Sequence, residues 1–113
     1  MEFSQKKVKG ILICTIKGQI KISTQTECKE YCNKLMEENC FNTVVLNISG
    51  VSYMNSAGIG MIVECYKKFK ENGGRLALCS PPLDIRKLFE ITKLDQFIEI
   101  YPDEETAIRE LAG

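Results

Sequence analysis

The sequence predicts one α/β domain, and three observations carry that prediction. Apolar, β-branched runs alternate with amphipathic segments of helical period, the connections between them are short, and a hydrophobic content of 44% over 113 residues is enough for one core without covalent staples. The order β-β-α-β-α-β-α-β-α gives a mixed sheet of four to five strands with about four helices packed mainly on one face. The later βα units supply neighbouring parallel strands, because short right-handed crossovers return the chain beside the strand it left. No linker, internal repeat or low-complexity segment interrupts residues 1–113, which read as one unit.

Phe3 to Val8 and Ile11 to Lys17 are strand-like runs joined by Lys9-Gly10, a connection short enough for a hairpin. After Gly18, Thr24 to Glu27 spells a capping box, and Cys28, Tyr31, Cys32 and Leu35 recur at helical spacing opposite charged positions. Val44 to Ile48 is nearly continuous in apolar character, as a central strand requires. From Ser56 a second helix carries Ile59, Ile62, Val63, Tyr66 and Phe69 on one stripe and stops at Asn72-Gly73-Gly74. Arg75 to Cys79 is a further strand. Ser80-Pro81-Pro82 then opens a helix that turns Ile85, Leu88 and Phe89 inward. Phe97 to Tyr101 reads as the last strand, and Asp103 caps a short helix bearing Ala107, Ile108 and Leu111.

Fifteen basic and fifteen acidic residues cancel, so no net field favours nucleic acid or an anionic membrane, and a protein partner is the better expectation. The longest apolar runs are strand-length, well short of the ~20 residues a membrane span needs, and the first residues are too polar for a signal peptide. A cytoplasmic protein without direct membrane insertion is expected. Six cysteines (Cys14, Cys28, Cys32, Cys40, Cys65, Cys79) lie in apolar patterns with no Cys-x-x-Cys pair and no histidine anywhere, which favours reduced core thiols over a disulfide scaffold or a zinc site. Without histidine there is neither a Ser-His nor a Cys-His nucleophile pair. Neither Gly58-x-Gly60 nor Gly73-Gly74 forms a nucleotide-binding glycine pattern, so no cofactor and no metal are expected.

The stretch Val44 to Gly60, VVLNISGVSYMNSAGIG, runs from a buried strand into a small polar cluster at a helix start. Ser56 there is open to two readings: a helix cap, or a hydroxyl presented at the helix end where backbone donors also suit a phosphate. Asn55, Ser56, Ala57, Gly58, Ile59 and Gly60, with a strand ending in Gly18, a helix ending in KENGGRL and the segment CSPPLDIRKLFEITKLDQFIEIYPDEETAI, fall in the order and spacing of a known family. The chain resembles the STAS domain of bacterial anti-sigma factor antagonists over almost its whole length.

That resemblance implies a single STAS-like domain that is a kinase substrate and not an enzyme. It implies that the unmodified protein binds an anti-sigma factor with serine kinase activity, which frees a sigma factor, that phosphorylation at Ser56 switches it off, and that a phosphatase reverses this. ATP would belong to the partner. The partner-binding surface it implies comprises Gly18, Gln19, Ile20, Lys21, Tyr53, Met54, Asn55, Ser56, Ala57, Gly58 and Ile59, with core packing the competing role, more so for Ile59 than for Met54. Two acids of the family pattern are replaced, by Asn55 and Lys21, and a family glycine by Lys93, which predicts a differently shaped turn there. A STAS regulatory subunit of a membrane transport or lipid-trafficking complex, and a small nucleotide-binding module, are the alternative functions.

Overall fold

The computed structural model describes residues 1–38 and 42–112, and shows five strands in the order β1-β2-β3-β4-β5 with four α-helices. β1 (Glu2–Val8) and β2 (Ile11–Ile20) form the hairpin, with Val8 opposite Ile11. Both linking residues take positive φ, 51° at Lys9 and 79° at Gly10, the handedness that matches a two-residue turn to the twist of the strands. β2, β3 (Thr43–Met54), β4 (Arg75–Cys79) and β5 (Ile100–Tyr101) are parallel neighbours. The helices are α1 (Gln25–Glu38), α2 (Ser56–Glu71), α3 (Leu83–Ile91) and α4 (Glu104–Ala112).

Strand alternation sorts the core into two layers. Leu12, Cys14 and Ile16 of β2, Val44, Leu46 and Ile48 of β3, and Leu76 and Leu78 of β4 meet Cys28, Cys32 and Leu35 of α1, Met61, Ile62, Cys65 and Phe69 of α2, and Ile85 and Phe89 of α3. The opposite face, Ile11, Ile13, Val45, Ala77 and Cys79, is covered by α4 through Ala107, Ile108 and Leu111. Three helices therefore share one face. Asn47, the one buried polar residue among those described, ties the thin side together: its amide donates to Glu104 of α4, its Oδ1 accepts from Ser49 N at 2.9 Å, and Lys6 of β1 pairs with Glu104 at 2.8 Å.

Several elements differ from their sequence reading. β3 runs six residues past Ile48, to Met54. Its pairing partners advance from Asn47 to Gly50 while β2 advances from Thr15 to Lys17, and from Val51 to Tyr53 while β2 advances from Gly18 to Gln19. Each step is a bulge with one extra residue on β3, and together they break the period-2 pattern that would have marked the strand. β5 is confined to Ile100–Tyr101; Phe97 instead follows a 3-10 turn at Leu94–Gln96, its ring 5.3 Å from Tyr66. Lys93 adopts φ 61° and ψ 23°, so that turn keeps the left-handed shape glycine would favour, contrary to the expected change.

The capping box at Thr24 does not form. Thr24 Oγ1 reaches backwards instead, donating to Gln19 O at 2.6 Å and accepting from Lys21 N at 3.0 Å, which fixes the turn between β2 and α1. Cys14, Cys28, Cys32, Cys65 and Cys79 are buried free thiols, while Cys40 lies outside the described residues. None of the described helices is long and apolar enough to cross a membrane.

Candidate functional site

Parallel pairing of β2, β3 and β4 brings their C-terminal ends, and the starts of α1, α2 and α3, to one edge of the sheet, where ligand and partner sites of open α/β folds gather. The centre of that edge is built by Asn55. Its backbone is extended, with φ −115° and ψ −169°, and its Oδ1 accepts from Ala57 N at 3.0 Å and Gly58 N at 3.3 Å, while Ile59 N donates to its carbonyl at 3.1 Å. Asn55 is therefore the cap of α2, satisfying two first-turn donors. Asn55 N in turn donates to Ile20 O at 3.3 Å, which clips the helix start to the end of β2.

Ser56 is then the first residue inside α2 and is exposed. Of its two sequence readings the cap belongs to Asn55, one residue earlier. The α2 first turn carries no acid, whereas those of α1, α3 and α4 carry Glu27, Asp84, and Glu104 with Glu105. Gly58 faces the sheet: a Cβ there would come within 2.6 Å of Met54 Cγ, 2.9 Å of Ile20 Cγ2 and 3.2 Å of Ile20 O, so the missing side chain lets the helix seat on β2 and β3. Gly60 has open space where a Cβ would stand, and is exposed.

The residues expected at a partner surface divide in two. Gln19, Tyr53 and Ser56 are exposed, and Gly18, Lys21, Asn55, Ala57 and Ile59 are partly so. Ile20, Met54 and Gly58 are buried and form the platform beneath, so they present no surface. The core role weighed for both residues falls more fully on Met54, which is 6% exposed, than on Ile59, which packs against the core from a half-buried position. Ile22, 72% exposed in the turn after β2, and Leu83, 69% exposed at the start of α3, stand at the same edge and were not among the expected residues. A lone isoleucine in the polar string Lys21-Ile22-Ser23-Thr24 was the available signal for the first. Leu83 after two prolines gave none, since an apolar residue at a helix start is equally suited to the core.

Residues 2–107 match the STAS domain model, and the chain belongs to that family. It is 31% identical to the anti-sigma-B factor antagonist of Bacillus subtilis (strain 168), over 83% of this chain and 84% of that one. It is 23% identical to the anti-sigma F factor antagonist of Paenibacillus polymyxa, over 98% and 95%. Among solved structures, a candidate anti-sigma factor antagonist of Thermotoga maritima superposes with a TM-score of 0.89 at 25% identity, covering 98% of this chain and 95% of that one. The fold is also that of the anti-sigma factor antagonist SpoIIAA in its unphosphorylated form, with a TM-score of 0.71 at 22% identity over 99% of both chains.

Proposed function

We propose that this chain is a cytoplasmic anti-sigma factor antagonist, one STAS domain over residues 1–113, that binds an anti-sigma factor serine kinase while Ser56 is unmodified and is released when that kinase phosphorylates Ser56. It is a substrate and not an enzyme; a phosphatase resets it. The observation that carries the reading is the division of labour at the start of α2: Asn55 holds the helix, which leaves the exposed Ser56 hydroxyl without that structural duty. The names of the relatives agree with it.

The physics of the switch is local. A phosphate brings roughly −1.5 to −2 charges and three acceptor oxygens to a spot where the helix dipole is positive and no carboxylate stands in the first turn, so the fold tolerates it. A partner seated on the same spot meets new bulk and a charge that lacks a matching cation. Release follows from the surface and needs no movement of the core.

Incubation with ATP and the serine kinase encoded nearest its gene tests this, followed by intact mass and site mapping. One phosphate on Ser56, abolished in Ser56→Ala, is the expected result. Phosphate on another residue, or none with a kinase active on a control substrate, contradicts the reading.

A further inference from the structure

The edge that presents Ser56 carries a second group of features that the modification itself does not use. Lys21 continues β2 just as Asn55 continues β3, since Ile20 is paired with Met54 and Ile20 O accepts from Asn55 N. The Lys21 ammonium takes part in none of the ion pairs among the described residues. The turn that bears it is rigid: Thr24 Oγ1 bridges Gln19 O and Lys21 N, and Lys21 O accepts from Thr24 N at 3.0 Å and Gln25 N at 2.8 Å. Directly after it stands Ile22, the most exposed large apolar side chain at this edge, with Tyr53 on β3 and Leu83 on α3 exposed alongside. With its backbone already hydrogen-bonded, the turn loses little backbone entropy when a partner is bound.

We propose that the turn from Lys21 to Thr24 is a specificity element for the partner, taking a surface on which carboxylates oppose Lys21 and an apolar patch receives Ile22. This rests on the reading that the kinase docks at the Ser56 edge, and adds to it the chemistry of the docking partner. Lys21 is the charge that selects; Ile22 is the anchor. The adjacent Asn55 supports the same polarity, because a carboxamide cap leaves no anion at the centre of the contact, where an acidic partner surface would be repelled. A partner whose facing surface is basic gains nothing from this edge.

The test uses the serine kinase encoded nearest the gene, and measures association rates at several salt concentrations together with single-turnover phosphorylation. Lys21→Glu should slow association about three- to tenfold at low salt and flatten or invert the salt dependence, while Lys21→Arg should behave as wild type. Ile22→Asp should speed dissociation with thermal unfolding unchanged, since the side chain is in solvent. Lys21→Glu that associates as fast as wild type, or faster, overturns the proposal while leaving phosphorylation of Ser56 intact. Failure of the wild-type protein itself to be bound and phosphorylated overturns both, and so separates the two ideas.

Discussion

Asn55 and Ser56 are both good capping residues, and at the residue scale the difference between them decides what a mutation means. Because the cap is Asn55, Asn55→Ala should cost about 1 kcal/mol of stability, whereas Ser56→Ala should be close to neutral in urea unfolding. The opposite order would put the cap on Ser56. Two glycines two residues apart, on opposite faces of α2, differ equally. Gly58→Ala forces a methyl against Ile20 and Met54 and should destabilise by about 1–3 kcal/mol, while Gly60→Ala adds a side chain into open space and should stabilise α2 by about 0.5–1 kcal/mol. Thermal melts of the two variants check both signs. The sequence stretch around Ser56 showed that a helix begins here; it left the cap unresolved because adjacent Asn and Ser satisfy the same preference, and only the extended backbone of Asn55 separates them.

Elements were legible where their period was unbroken. α2, with Ile62, Phe69 and their neighbours on one stripe, starts and stops at the residues its pattern indicates, and β4 matches its apolar run. β3 was read as less than half its length because two bulges shift its inward residues from Ile48 to Val51 to Met54, a spacing of three that departs from the strand period of two. The two bulges cancel in phase, so Met54 is inward and Tyr53 outward beside Ser56, as unbroken alternation from Ile48 would also place them. The thiols give the element scale its own prediction. Burial, first among the causes, pushes Cys14, Cys28 and Cys79 from the usual 9.0 up to about 11. Between those values the unfolded chain has released protons that the folded chain retains, so stability is full below 9.0 and falls as pH rises towards about 11. Urea midpoints across that window should decline, and the slope should lessen in Cys28→Ala; a flat profile would place these thiols in contact with water.

For the whole molecule, the division between a rigid scaffold and a modifiable edge is the central claim. The core layers formed by α1 to α3 on one face and α4 on the other contain no group that phosphate at Ser56 would reach, because Ser56 is exposed and the buried residues beneath it, Ile20, Met54 and Gly58, are apolar or without a side chain. Unmodified and phosphorylated protein should therefore unfold at nearly the same urea concentration, and a large difference would mean that the switch acts through the fold. The most direct test of the account is calorimetric titration of the kinase with the unmodified protein, with protein fully phosphorylated at Ser56, and with Ser56→Ala. Tight binding by the unmodified protein and by Ser56→Ala, with affinity lowered about tenfold or more by phosphate, is the predicted result; equal affinity of the phosphorylated and unmodified forms would contradict it.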